Sequence, residues 1–183
     1  TEMTEVHTLP GRWESATEIV RRFKAKEQSA VEVVTDAFKR IDQLNTRYGA
    51  VTFADREGVL ESARGLDRKL ATDQKLGPLA GIPTLMKDLY GFRPGWPTTL
   101  GGFPAARHDI APADLWSRYP LQVTRNDGLL LGQTNSSTFG FCGATDNAIF
   151  GPSRNPFNPS RNSGGSSGGS AVAVATGMVP VAG

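Results

Sequence analysis

The spacing of apolar residues divides the chain into a helical first part and a second part of short buried strands. Ser15-Ala-Thr-Glu18 is a capping-box pattern, and Ile19, Val20 and Phe23 follow it on one face of a helix. Ser29-Ala-Val-Glu32 repeats the signal and opens a stronger helix. Its stripe is Val34, Ala37, Phe38, Ile41 and Leu44, spaced by three and four. Ala50 to Phe53 fits a short strand. Asp55 then precedes a third helix with Val59, Leu60, Ala63, Leu66 and Leu70 turned inward.

From residue 77 the period changes. Gly77-Pro-Leu-Ala-Gly-Ile-Pro-Thr-Leu-Met-Lys87-Asp88 reads as a turn, then a short buried strand ending in two charges. Trp96 to Gly102 is loop. Asp114 to Thr124 carries Leu115, Trp116 and Tyr119 as a helix, which Pro120 is expected to break or kink. After the turn Asp127-Gly128 comes a buried strand, Leu129 to Gly132, and then Gln133-Thr134-Asn135. Strands alternating with helices predict an α/β fold, a mixed or parallel sheet flanked by helices, without internal repeats.

Residues 150 to 162 form a polar, proline-rich stretch that predicts a loop. It leads into an unbroken run of serine and glycine, Ser163 to Ser170, and then into Ala171 to Gly177, a short buried helix. The sequence stops at Gly183 within an apolar Val-Pro-Val-Ala-Gly segment and reads as truncated there. The Ser/Gly run supports three readings. A flexible linker is the plain one, but the apolar helix follows with no polar spacer. A nucleophile elbow fits Gly164-Gly-Ser166-Ser-Gly168, yet both histidines, His7 and His108, precede the serine. A phosphate loop fails for want of a lysine after Ser170. Against the linker reading too, small residues feeding a helix amino terminus present backbone N–H groups to an anion or oxyanion.

Composition narrows the class without touching the chemistry. Hydrophobic residues at 38% and charged residues at 21% make an ordinary globular mixture. A net charge of +2, evenly spread, argues against a nucleic-acid surface. Apolar runs as short as Leu129-Leu130-Leu131 predict no transmembrane helix, and Thr1 to Arg12 lacks the form of a signal peptide. A single cysteine, Cys142, excludes an internal disulfide and a cysteine-built zinc site. These features fit a cytoplasmic enzyme or binding domain.

The third reading of the Ser/Gly run comes with a resemblance. Gly164-Gly-Ser-Ser-Gly-Gly-Ser170 followed by Ala-Val-Ala-Val-Ala-Thr-Gly177 resembles the central motif of the amidase signature family. Gly77-Pro-Leu-Ala-Gly-Ile-Pro with Lys87-Asp88, then Pro97-Thr-Thr99, is similar to the family's lysine segment. Leu130-Leu-Gly-Gln-Thr-Asn135 and Thr145-Asp-Asn through Phe150-Gly-Pro-Ser-Arg-Asn-Pro156 match further blocks in order, and the helix at Ser29 to Asn45 has the family's look. The resemblance implies that 1–183 is the amino-terminal part of one amidase domain, helical over 1–75 and catalytic-core over 76–183.

It also implies roles. Lys87, at the end of an apolar strand, would be a neutral general base. Ser166, after a cis Gly165–Ser166 peptide, would bridge Lys87 to an acyl-forming serine in a D-x-G-G-S-like loop beyond Gly183. Ser167 and Ser170 would hydrogen-bond around the site or cap the helix. Asp88 would bond nearby backbone, and Asn135, Asp146 and Asn147 would order the loops. Arg154, Asn155 and Arg161 are secondary candidates for substrate contact, and Cys142 is expected to be a buried filler. Trp96, Phe139 and Phe141 are left open between an acyl pocket and the core. The implied activity is hydrolysis of a small-molecule carboxamide or carbamate through an acyl-enzyme, with no metal or organic cofactor, no membrane or direct nucleic-acid partner, and a homodimer left open. The alternatives are a glutamine amidotransferase A-type subunit, which would need partner subunits, and a non-catalytic amidase-like binding module.

Overall fold

Helix boundaries follow from local chemistry in the computed structural model, which describes residues 14–105 and 115–183. Helix α1 (Ala16–Lys24) is capped by Ser15, whose side chain accepts from the Glu18 amide. The reciprocal half of that capping box is missing, because the Glu18 carboxylate pairs with Arg21. Helix α2 (Ala30–Tyr48) has the complete box: Ser29 accepts from the Glu32 amide, and the Glu32 carboxylate accepts from Ser29 N. Its stripe buries Val33, Val34, Ala37, Phe38 and Ile41. Asn45 then accepts from the amides of Ala50 and Val51 and sets the turn into β1 (Val51–Ala54). Asp55 caps α3 (Arg56–Ala71), which buries Val59, Ala63 and Leu66.

The remaining elements are β2 (Pro83–Lys87), α4 (Arg118–Arg125), β3 (Leu129–Thr134), a short 3-10 turn (Thr138–Gly140), the hairpin β4 (Arg154–Asn155) with β5 (Asn158–Asn162), α5 (Gly168–Ala175) and β6 (Val181–Ala182). Pro120 does not break α4. The helix starts only after Ser117, so Pro120 falls in its first turn, where a missing N–H removes no intrahelical bond. Residues 150–162, expected as loop, instead contain the β4–β5 hairpin. Asn155 accepts from the amides of Phe157 and Asn158 and turns the chain.

The main sheet is mixed, in the order β1-β3-β2-β6. β1 runs antiparallel to β3, whereas β3, β2 and β6 are parallel. Turns at the start of the two central strands hold them in register: Leu79 and Gly81 donate backbone bonds to Asn126 and Asp127, and the Asp127 carboxylate accepts from Gly77 N and Lys69. Alternation then sends Leu85, Leu129 and Leu131 to one face, under α2, α3 and α5. Met86 and Leu130 point to the other, with Phe53, Trp96 and Val123 of α4. The sheet therefore lies between helices, and its central strands are buried on both faces.

Candidate active site

Lys87 is the last residue of β2 and lies opposite Thr134, the last residue of β3. The pair marks the carboxyl end of the parallel strands, where sheets of this type place their sites. Four buried residues, Pro83 to Met86, carry Lys87 into a half-buried position. Burial lowers the pKa of its amine. The adjacent Asp88 does not act as counter-ion. Its carboxylate accepts from Thr99 N at 3.1 Å and from the Thr99 hydroxyl, and its own burial pushes its pKa up. No carboxylate among the described residues forms an ion pair with Lys87.

The Ser/Gly run is tied to its neighbours by hydrogen bonds and is buried from Gly168 to Ser170. Gly164 donates to Asn162 Oδ1, and its carbonyl accepts from Thr145 N. The Gly165–Ser166 peptide is cis. The Ser166 carbonyl accepts from Ser137 N at 3.3 Å and from Thr145 Oγ1 at 3.4 Å. Gly168 and Gly169 already belong to α5, so the helix begins three residues before the apolar segment that predicted it. Gly168 N donates to Thr145 Oγ1, and Gly169 N donates to the Asn135 carbonyl. A side chain at 169 would meet Asn135 N at 2.4 Å and Ala50 O at 2.6 Å. Glycine there serves close packing rather than flexibility. Lys87 Nζ donates to Ser166 Oγ at 2.6 Å, and both residues are half-buried.

Most of the other sequence candidates have structural partners. The Ser170 hydroxyl bonds Thr134 Oγ1 at 2.6 Å and donates to the Gly183 carbonyl at 2.7 Å, tying α5 to the ends of β3 and β6. Ser167 stands at the N-cap position of α5, without a side-chain cap bond. Asn135 accepts from Asn147 Nδ2 and donates to the Gly151 carbonyl, and Asn147 Oδ1 accepts from Phe150 N. Asp146 is exposed, outside that network. Arg154 and Arg161 are exposed on the hairpin, with Arg154 donating to the Pro159 carbonyl. Trp96 belongs to the core and donates to Asp55 Oδ2. Cys142, expected inside, is exposed: it lies on the tight loop after the 3-10 turn, where the chain passes outside the packed layers. His7 and His108 lie outside the described residues.

The sequence reading passed over Thr145 and Thr134. Both are fully buried hydroxyls, one bracing Ser166 and Gly168, the other holding Ser170. Their signal was a polar residue inside an otherwise apolar or glycine-rich block, which local pattern does not distinguish from a turn. A separate cavity lies at the opposite end of the strands, lined by Leu66, Lys69, Asp127 and Leu129, and its Lys69 is paired with Asp127 at 2.7 Å. Among the described residues no cluster of three or more His, Cys, Asp or Glu is placed to hold a metal ion. No described helix is long and apolar enough to cross a membrane.

Comparison with known proteins bears on the family and the fold. The family model described as Amidase matches residues 32–183. The A-type subunit of the glutamyl-tRNA(Gln) amidotransferase of Acidothermus cellulolyticus is 40% identical over 92% of this chain, which covers 32% of that protein. An acylamidase of Rhodococcus erythropolis is 38% identical over 93% of this chain and 35% of its own length. The crystal structure of a bacterial aryl acylamidase of the amidase signature enzymes superposes with a TM-score of 0.90 at 49% identity, covering 94% of this chain and 35% of that one. The chain thus spans about a third of the length of the relatives it matches.

Proposed function

Since the chain belongs to the amidase family, we propose that it supplies the general base and the bridging hydroxyl of a serine amidohydrolase, as the amino-terminal part of one domain. The observation that carries the proposal is the 2.6 Å contact between Lys87 Nζ and Ser166 Oγ, made by an amine that has no paired carboxylate among the described residues and a pKa lowered by burial. An unprotonated amine there accepts the Ser166 proton as Ser166 accepts one from an attacking serine hydroxyl, contributed by residues after Gly183. That oxygen bonds to the amide carbon, and the C–N bond then breaks. The proton returns through Ser166 to the departing amine, and water hydrolyses the acyl ester. The backbone N–H groups for the oxyanion would come from the same later loop.

The test is kinetic, on the full-length encoded protein. Lys87→Ala and Ser166→Ala each lower kcat/KM for a simple carboxamide by about a hundred- to ten-thousandfold. A rate unchanged by Lys87→Ala overturns the proposal. Identity to an A-type amidotransferase chain favours a second reading, in which the same pair hydrolyses glutamine within a complex. Copurification with a second chain, together with glutamine as the preferred amide, selects that reading.

A further inference from the structure

Thr145 holds the Ser/Gly run at every second residue around Ser166. Its amide donates to the Gly164 carbonyl at 3.0 Å. Its hydroxyl donates to the Ser166 carbonyl at 3.4 Å and accepts from Gly168 N at 2.8 Å. The residue is fully buried, and these two bonds use its hydroxyl once as donor and once as acceptor. Gly168 is the first residue of α5, where an amide has no intrahelical partner, and Ser167 at the N-cap makes no side-chain bond. Thr145 thus closes that helix end from 23 residues away while it holds the carbonyl of the bridging serine. The approach is close: a side chain at Gly168 would meet Thr145 Oγ1 at 2.3 Å, and one at Gly165 would meet the Ala144 backbone at 3.0 Å. Asn162 fixes Thr145 in turn. Its Oδ1 accepts from the amides of Thr145 and Gly164, and its Nδ2 donates to the Thr145 carbonyl at 2.8 Å.

We propose that Thr145 is a positioning residue for the proton relay: its hydroxyl fixes the Ser166 backbone so that Ser166 Oγ stays 2.6 Å from Lys87 Nζ. This role presupposes the amidase chemistry proposed above and goes beyond it, since Thr145 acts through Ser166 and not on a reacting atom. Proton transfer between positioned groups is steep in distance, and a displacement of about 1 Å costs on the order of a hundredfold in rate. Without the hydroxyl, the Ser166 carbonyl loses its bond to residue 145, and the buried Gly168 amide loses its acceptor. The run can then shift relative to the end of β2, which carries Lys87.

The experiment uses the intact enzyme and a simple carboxamide. Thr145→Val keeps the shape of the side chain and removes the hydroxyl; Thr145→Ser keeps the hydroxyl and removes a buried methyl. Thr145→Val is expected to lower kcat by about ten- to a hundredfold with KM within about twofold. Thr145→Ser keeps kcat within about threefold of the wild type even where its urea midpoint falls. Thr176→Val is the control for lost stability: it removes another buried hydroxyl, bonded to the Val172 carbonyl at 2.7 Å, and leaves kcat unchanged. In a Ser166→Ala background Thr145→Val has little further effect, because the group it positions is gone. An unchanged kcat in Thr145→Val overturns the inference. Equal losses in the valine and serine variants, or in Thr176→Val, also overturn it, since Thr145 then serves the fold alone. Thr145→Ser decides the matter even where Thr145→Val does not fold: a folded serine variant slower by about tenfold or more is inconsistent with the role. If Lys87→Ala and Ser166→Ala leave the rate unchanged, the amidase reading falls and takes this inference with it; if they lower it and Thr145→Val does not, only this inference falls.

Discussion

At the scale of the residue, the decisive contrast is between neighbours. Lys87 and Asp88 are adjacent, yet they point apart where the strand ends. Asp88 spends its carboxylate on Thr99, and Lys87 reaches Ser166. An ion pair between them would have kept the amine charged and unable to accept a proton. The sign for pH follows from burial, which disfavours the ammonium and lowers the Lys87 pKa below its unfolded value. Below the folded pKa the base is protonated and the rate is low; above it the rate reaches a plateau. The kcat/KM profile of the intact enzyme should therefore rise with pH, with a midpoint below about 10.4, the ordinary lysine value. The same shift makes Lys87 cost stability at low pH. That cost declines as pH rises from the folded to the unfolded pKa, because in that window the unfolded chain holds the extra proton. A rate profile that falls across this range would remove Lys87 as base. Lys87 was singled out in the sequence by the resemblance of its segment to the amidase lysine block, with the apolar strand before it as a supporting feature. The exposure of Cys142 was not, since a lone cysteine carries no periodic signal.

At the scale of the element, the Ser/Gly run shows how composition misleads. Its residues are those of a flexible linker, but at Gly165 and Gly169 other backbone lies against the chain and leaves no room for a side chain. Gly169 abuts Asn135 and the Ala50 carbonyl, which joins the start of α5 to the ends of β1 and β3. Gly169→Ala should destabilise the protein by about 1–3 kcal/mol through overpacking. Gly143, with open space around its Cα, should accept alanine within about 0.5 kcal/mol. Urea unfolding midpoints of the two variants test the contrast, and equal midpoints would mean that the run is a loose tether after all. Pro120 teaches the converse lesson. Its effect depended on where α4 began, and that start was not marked by a side-chain cap: Ser117 makes none to the helix.

At the scale of the molecule, one sheet brings together residues far apart in the chain. Parallel pairing of β2 with β3 and β6 sets Lys87 beside Thr134, while Ser170 ties α5 to Thr134 and to the Gly183 carbonyl. In the proposed mechanism base and bridge come from this chain, which spans about a third of the length of its relatives, and the attacking hydroxyl comes from residues outside it. Residues 1–183 produced alone should hydrolyse no amide under conditions in which the intact protein does; measured turnover by the fragment would show that it holds its own nucleophile. The helices, the buried strands and the block order that resembles the amidases could be read from the linear chain, because periodicity, capping and turn chemistry act within a few residues. Three things came only from the folded chain: that Lys87 touches Ser166 across a separation of 79 residues, that Gly165, Gly168 and Gly169 are closely approached by other parts of the chain, and which aromatic rings face outward. Those depend on strand order, register and the approach of one element to another, and no local pattern encodes them.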